Sequence, residues 1–208
     1  MRLVYVAGRH RDPSGWVVYQ NTLDAERHAA VVTKIPSLVA VTPHLLTRNL
    51  DSLQSEQYWC EATMEVMRRC DAVFVVPGWE QSIGTIGEVR EAIARRTPVF
   101  FEERALRLYA QFEGTIEYQP LLAMRSPWFA EQNTLNRLDL VSLSCRPADR
   151  FFVLNLRHNG EDRQDFGTLA WVVEVVSWLM ACGVLTDSRP LFDWLDLMTE
   201  NLETAKKK

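Results

Sequence analysis

The sequence predicts an α/β fold with a parallel sheet, and three observations support this prediction. Four short runs in the first hundred residues are apolar throughout rather than alternating, as in parallel strands covered on both faces. Helical patterns lie between these runs, so that strand and helix alternate along the chain. The apolar fraction of 47% and the charged fraction of 24% are close to the average of globular domains, which excludes a wholly disordered chain.

Each element of this fold follows from a local pattern. The predicted strands are residues 3–7, 38–41, 72–76 and 98–101. The predicted helices between them are residues 21–32, 55–70 and 83–96. Together they indicate a flavodoxin-like or Rossmann-like parallel sheet flanked by helices. Ligands in such folds bind beyond the carboxyl ends of the strands. The loops of interest are therefore residues 8–15, 42–53 and 77–84.

After residue 101 the alternation ends, and the sequence predicts a helix-rich C-terminal extension with one or two strands. Residues 151–156 are the expected strand. Residues 164–182 are expected to form a helix that is apolar nearly all round and therefore buried in a core or an interface. Residues 190–202 are expected to form an amphipathic helix. We therefore divide the chain into an α/β domain, residues 1–101, and an extension, residues 102–208, which is a candidate oligomer or partner interface.

Charge and apolar patterning exclude several classes of protein. The formal net charge of −4 argues against duplex DNA as a partner, because binding to the phosphate backbone favours a basic surface. The longest apolar stretch, residues 169–185, contains Glu174 and Ser177 and is shorter than the roughly 20 residues of a membrane span. We therefore expect no membrane association.

The four cysteines, at positions 60, 70, 145 and 182, are scattered along the chain and include no C-x-x-C pair. This spacing does not fit a zinc site and is typical of reduced thiols in a cytoplasmic protein. We expect no metal or redox cofactor and a cytoplasmic location.

The most informative segment leads from the third predicted strand through Pro77 and Gly78 into a helix. Ser82, Gly84 and the free N–H groups of the first helical turn suit an anion, because the helix dipole favours negative charge there. Glu88 follows within about two turns and would face the same pocket. The alternative is structural: residues 85–88 match a T-x-x-E capping box, and Ser82 can be an ordinary turn residue.

Three segments, YVAG (5–8), TPH (42–44) and CDA…PGWEQSIGTIGE (70–88), resemble the nucleoside 2-deoxyribosyltransferase-like superfamily. The Pro-Gly-Trp-Glu-x-Ser motif is most similar to that of a phage and bacterial branch of that superfamily. The Ser-x-Gly-x-x-x-Glu spacing also resembles the 2′-deoxynucleoside 5′-phosphate N-hydrolases. The resemblance covers residues 1–101, about half of the chain.

The resemblance implies roles for four residues. Glu88 would attack, or stabilise by its charge, the anomeric carbon of a nucleoside while the base leaves. Ser82, with Gly84 beside it, would contact a phosphate. Tyr5 would orient the glutamate or contact the sugar.

The loop after the first strand and two isolated residues complete the expected site. Gly8, Arg9, His10 and Arg11 would suit a 5′-phosphate, and Arg9 stands where the branch often has proline. Two further residues each carry a functional and a structural interpretation. Trp79 can stack on a base or belong to the core, and His44 can contact the ligand or serve as a hydrogen-bonded structural residue.

One departure from the superfamily concerns the leaving group. Thr63 stands where the family usually has an aspartate that helps to protonate or hold the departing base. A threonine hydroxyl is not a carboxylic acid donor at neutral pH. Glu61 and Glu65 are near in sequence but point about 200° away on a regular helix.

The sequence therefore predicts N-glycosidic cleavage or base transfer on a (deoxy)nucleoside or its 5′-monophosphate, with Glu88 acting at the anomeric carbon. The resemblance also implies a homo-oligomer. Two alternatives stay open. One is a non-catalytic nucleotide-binding or sensor module, because Thr63 replaces the acid. The other is a hydrolase of a larger N-glycoside such as NAD.

Overall fold

Strand and helix alternate in the first half of the chain, as predicted. The computed structural model describes residues 1–48, 50, 53–112, 118–131, 138–146 and 151–206. Four parallel strands form one sheet in the order β2-β1-β3-β4. They are β1 (Arg2–Ala7), β2 (Leu38–Val41), β3 (Ala72–Val75) and β4 (Val99–Phe100). These strands confirm all four predicted runs, with ends that differ by one residue at most.

β1 lies at the centre of this sheet, and its register brings the ligand loops to one edge. Tyr5 is paired with Val41 of β2 on one side and with Val73 of β3 on the other. The carboxyl ends of all three strands therefore meet at the same edge. The α/β fold and its parallel sheet are as the sequence predicts.

The helices of this half cover the sheet. They are α1 (Gly15–Thr33), α2 (Pro43–Leu46), α3 (Glu56–Met67) and α4 (Ile83–Ala94). α1 begins six residues before its predicted start, because only its later turns have a clear apolar face. A single 3₁₀ turn, Trp79–Gln81, connects β3 to α4. Gly78 precedes this turn with φ of +82°, a conformation that favours glycine.

The second half contains more strand than the sequence predicts. Its helices are α5 (Glu103–Gln111), α6 (Tyr118–Ala123), α7 (Pro127–Glu131), α8 (Leu169–Ala181) and α9 (Arg189–Lys206). Its strands are β5 (Leu138–Arg146), β6 (Phe151–His158) and β7 (Glu161–Gly167). The three strands form an antiparallel sheet, so the expectation of one or two strands was wrong. The extension is nevertheless rich in helix.

Only residues 151–156 were predicted as a strand, so β5 and β7 were both missed, and β7 has almost no apolar residues. Its sequence is EDRQDFG, and five of its seven residues are exposed. The strand forms by pairing with β6 through a tight hairpin at Asn159 and Gly160, both with positive φ. Residues 164–167 therefore belong to β7 rather than to the predicted helix. α8 begins only at Leu169, where the Thr168 side chain accepts the Trp171 N–H.

α8 covers the open edge of the parallel sheet. Glu174 Oε1 accepts the Phe101 N–H at 2.7 Å, and Ser177 Oγ accepts the Val99 N–H at 3.1 Å. The Trp178 indole donates to the Val99 carbonyl at 2.9 Å. These three side chains lie on one helix face, at spacings of three and four residues. They satisfy backbone groups of β4 and of the residue that follows it, which would otherwise form an unpaired edge.

Apolar side chains from both halves form one buried cluster. The rings of Phe100 on β4 and Trp178 on α8 lie 5.5 Å apart, and both are fully buried. The burial predicted for the apolar helix is confirmed, since α8 packs in this core. Within the described ranges, no helix combines the length and the apolar character needed to cross a membrane.

Candidate functional site

A cavity of about 930 Å³ opens at the carboxyl edge of the parallel sheet. All three loops predicted to bind ligand contribute to its wall, through residues 8–13, residues 43, 44 and 47, and residues 81–84. α3 and α4 form the opposite wall, through Thr63, Thr85 and Glu88 among others. The volume lies within the range of small-molecule sites in proteins.

Tyr5 and Glu88 meet at this cavity. The Tyr5 hydroxyl donates a hydrogen bond to Glu88 Oε1 at 2.6 Å. Tyr5 has no exposed surface, whereas Glu88 is half-buried and lines the cavity. The hydrogen bond therefore orients one oxygen of the Glu88 carboxylate from the buried side, while the Glu88 side chain remains in contact with the cavity.

Burial sets the protonation of this pair. It raises the pKa of Glu88 to about 7, and the hydrogen bond from Tyr5 opposes the rise. Burial, followed by the charge of Glu88, raises the pKa of Tyr5 well above its ordinary value. Tyr5 therefore keeps its proton and acts as a donor. Glu88 can change its charge near neutral pH, as is typical of a carboxyl group at a functional site.

Ser82, rather than Thr85, caps α4. The Ser82 hydroxyl oxygen accepts the Thr85 N–H at 3.3 Å and the Thr85 hydroxyl at 3.0 Å. Glu88 lies in the second turn and contacts Tyr5, so the T-x-x-E capping box does not form. The capping-box role of Glu88 is thereby excluded, whereas Ser82 does have a structural role as the helix cap.

The first turn of α4 faces the cavity. Ile83 and Gly84 line the cavity. Their N–H groups have no partner within the helix, because no helical residue lies four positions earlier to accept them. A Cβ on Gly84 would meet only Ser82 Oγ, at 3.9 Å, so packing alone does not require glycine there. The position suits the close approach of a ligand to the backbone.

The loop after β1 carries paired rather than free arginines. Arg9 forms an ion pair with Asp12, and Arg11 lies 3.1 Å from Glu56. Both pairs line the cavity, together with His10. The predicted phosphate loop is therefore at the cavity, but carboxylates offset much of its positive charge.

His44 lies in the wall of the cavity and is 3% exposed. Its Nε2 donates to the Arg9 carbonyl at 3.1 Å, and its ring packs edge to face with that of His10, with ring centres 5.0 Å apart. Burial lowers the pKa of His44 to about 4, so the ring is neutral at pH 7. These contacts give His44 a structural role beside its position at the cavity.

Trp79 and Gly8 are the other two predicted site residues. Trp79 is 1% exposed and packs against Phe101 with ring centres 5.4 Å apart, away from the cavity. The prediction that Trp79 stacks on a base was therefore wrong, because the 3₁₀ turn directs its side chain into the core. Gly8 lines the cavity, and a Cβ there would lie 3.0 Å from Val76 Cβ, so close packing also favours glycine.

Thr63 lies beside the predicted catalytic pair. It lines the cavity, and its nearby hydroxyl partly opposes the rise in the pKa of Tyr5. The same hydroxyl donates to the Trp59 carbonyl at 2.9 Å. Glu61 and Glu65 are exposed, and they contact Gln57 and Arg69 on the helix surface. As expected, neither points into the site.

The sequence did not single out several cavity residues, although those at positions 12, 13, 43, 47, 81 and 83 lie in the predicted ligand loops. They are Asp12, Pro13, Pro43, Thr47, Glu56, Trp59, Cys60, Gln81, Ile83, Thr85 and Lys206. The 3.6-residue period of α3 places Glu56, Trp59, Cys60 and Thr63 on one face, which was the available signal for that group. No local signal marks Lys206, which comes from the far end of the chain. Within the described ranges, no three His, Cys, Asp or Glu side chains gather as a metal site would require.

Comparison with known proteins gives one match. The sequence profile of a family described as "Domain of unknown function (DUF1937)" matches residues 4–104, just under half of the chain. No curated protein and no solved structure matches the chain. The matched range contains β2 to β4, all but the first two residues of β1 and, of the cavity residues, all except Lys206. Over residues 4–104, which carry the Tyr5–Glu88 pair, the chain is therefore similar to that family.

Proposed function

We propose that this protein cleaves or exchanges the N-glycosidic bond of a (deoxy)nucleoside or its 5′-monophosphate, with Glu88 acting at the anomeric carbon. The observation that carries the proposal is the 2.6 Å hydrogen bond from a buried tyrosine to a carboxylate in the wall of a 930 Å³ cavity. A carboxylate held in this way suits the positive charge that develops on the sugar as the base leaves.

The geometry supports a two-step reaction. The ionised Glu88 carboxylate bonds to the anomeric carbon while the bond to the base breaks, and the base leaves with the electron pair. Water or a second base then displaces Glu88 and restores the carboxylate. Tyr5 donates to one oxygen throughout and keeps the other directed at the sugar. Because the pKa of Glu88 is about 7, the carboxylate is partly ionised at neutral pH and remains a good leaving group.

The departing base needs a proton, and the cavity offers no carboxylic acid at Thr63. The hydroxyl of Thr63 is already engaged with the Trp59 carbonyl. In the proposed reaction the base takes its proton from water. Bases that leave readily are therefore the favoured substrates, and turnover is slow.

The test is release of free base, followed by liquid chromatography, from a panel of nucleosides, 5′-monophosphates and NAD. We expect wild type to release base from one part of the panel and Glu88→Ala to lose that activity by about a hundredfold or more. Glu91→Gln is the matched control, since Glu91 lies on the same helix but pairs with Arg68 outside the cavity. Equal activity of wild type and Glu88→Ala would contradict the proposal.

A second candidate is a nucleotide-binding module without turnover, and the observation that favours it is the threonine at position 63. Such a module would bind members of the panel and raise its melting temperature without releasing base. The NAD-hydrolase alternative is tested by the same panel, in which nicotinamide release would identify it.

A further inference from the structure

Six exposed apolar side chains gather near the carboxyl edge of the parallel sheet, on three consecutive segments of the chain. Each of them is 40–67% exposed. They are Trp16 and Tyr19 on α1, Leu45 and Leu46 on α2, and Leu53 and Tyr58 around the start of α3. We call this group the α1–α3 patch. It contains nearly half of the large apolar side chains that are exposed in the described part of the chain.

Ion pairs hold the three segments of the α1–α3 patch next to one another. Arg11, just before α1, lies 3.1 Å from Glu56 on α3. Arg48, just after α2, lies 3.2 Å from Glu26 on α1. α1 also packs directly against α2. The six side chains therefore belong to one region of the surface.

The ligand cavity does not explain why these side chains are exposed, because α2 uses different sides for the cavity and for the patch. Pro43, His44 and Thr47 line the cavity, whereas Leu45 and Leu46 do not line it and are exposed. Their exposure to solvent is unfavourable unless another surface covers them.

The size of the α1–α3 patch matches an interface between proteins. From the exposures of its members, the patch offers roughly 600 Å² of apolar surface, at the upper end of what a monomeric protein presents in one place. A stable interface buries about 800 Å² on each partner, and about two thirds of that area is apolar where two copies of one chain meet. The patch therefore supplies the apolar area that one side of such an interface needs.

The charges around the patch favour a second copy over a lipid surface or a nucleic acid. The arginines at its border are already paired, Arg11 and Arg48 as described above and Arg27 with Asp24 at 2.7 Å. A lipid surface or a nucleic acid is bound through free cations beside the apolar residues. Two copies of an apolar surface bordered by paired charges can meet without repulsion between like charges.

The helix of the C-terminal extension that the sequence marked for a core or an interface is not available for this purpose. α8 is buried in the core that both halves of the chain share. We propose that the α1–α3 patch binds the same patch of a second copy of this chain and forms a closed, two-fold symmetric dimer. The inference goes beyond the proposed function and does not depend on it.

The test is the mass of the full-length protein in solution, measured by sedimentation equilibrium up to about 100 µM, where an interface with a Kd near 1 µM is almost saturated. We expect wild type to reach the mass of two chains and no more. Trp16→Glu and Leu53→Glu, on different segments of the patch, should each raise the dissociation constant by about a hundredfold or more, because the new charge would be buried without a partner. Leu53→Met should retain the dimer.

Leu197→Glu is the matched control, since Leu197 is 45% exposed on α9, outside the patch. It should leave the dimer intact, and melting temperatures show whether each variant is folded. A monomeric wild type would overturn the inference, and cosedimentation of that monomer with phosphatidylglycerol vesicles would assign the patch to a membrane instead. Masses that keep growing beyond two chains, or a dimer that survives both patch variants, would also overturn it.

Discussion

The hydroxyl of Tyr5 donates to Glu88 Oε1 at 2.6 Å, joining two residues that lie 83 positions apart in the chain. One lies on the central strand β1 and the other in the second turn of α4. The contact links the sheet to the helix whose N-terminus faces the cavity.

Replacing Tyr5 with phenylalanine should shift the pH profile of the reaction as well as its rate. The tyrosine hydrogen bond lowers the pKa of Glu88, so its loss should raise that pKa further above 7. We expect kcat/KM to fall about tenfold near neutral pH and less at high pH, where Glu88 is ionised in both proteins. Equal loss at every pH, measured across the profile, would show that Tyr5 acts only in packing.

The stability of the protein should depend on pH through Glu88. Its pKa is raised from 4.5 when the chain is unfolded to about 7 in the fold, so the folded state holds the proton more tightly. This stabilisation is fully present below pH 4.5 and is lost as the pH rises through 7. It amounts to at most about 3 kcal/mol.

The measurement is the difference in unfolding free energy between wild type and Glu88→Gln, taken by urea denaturation at intervals from pH 4.5 to 8. The difference is needed because other groups also titrate in this range. The pKa of Glu174 is likewise raised to about 7, whereas that of His44 is lowered to about 4. A difference that does not change with pH would contradict the assigned protonation of Glu88.

Restoring an acid at position 63 should speed departure of the base. Thr63 lines the same cavity as Glu88, so Thr63→Asp would place a carboxyl group near the reacting centre. We expect base release to rise about a hundredfold for bases that leave poorly. Thr63→Asn has a similar shape without the acid and should show no gain. Equal rates in the two variants would mean that protonation of the base does not limit turnover.

The contact between α8 and the sheet edge should matter for stability. Arg125 Nη2 lies 2.5 Å from Glu174 Oε2, and both side chains are buried. Glu174→Ala would leave the Phe101 N–H unpaired and leave the buried guanidinium with only the exposed carboxylate of Glu102, at a cost of about 3 kcal/mol. Glu103→Ala is the control, since it removes an exposed pair with Arg107 and should change stability by under about 1 kcal/mol. Similar unfolding free energies for the two variants would contradict this assignment.

Truncation after residue 101 tests the predicted domain boundary. Without α8 the outer backbone groups of β4 would be exposed, and the core shared through Phe100 and Trp178 would be lost. We expect the fragment of residues 1–101 to aggregate. A soluble fragment with a cooperative unfolding transition would establish an independent domain.

Much of the parallel sheet could be predicted from the sequence, because each strand is a short apolar run between helical patterns. Such runs are buried wherever they pack, so their type does not depend on distant contacts. The same local signals located the ligand loops, as well as Glu88 and Ser82 at the start of one helix. β7 was not predicted because its residues are polar and carry no strand signal. It forms a strand only by pairing with β6.

The sequence alone thus determined the α/β class and the residues at the carboxyl edge of the sheet. Tertiary structure decided how these residues are used: it placed Tyr5 against Glu88, directed Trp79 into the core and paired the loop arginines with carboxylates. It also brought Lys206 to the cavity from the end of the chain. The physical reason is that local patterns report which face of an element is buried, whereas contacts between distant elements depend on how those faces pack together.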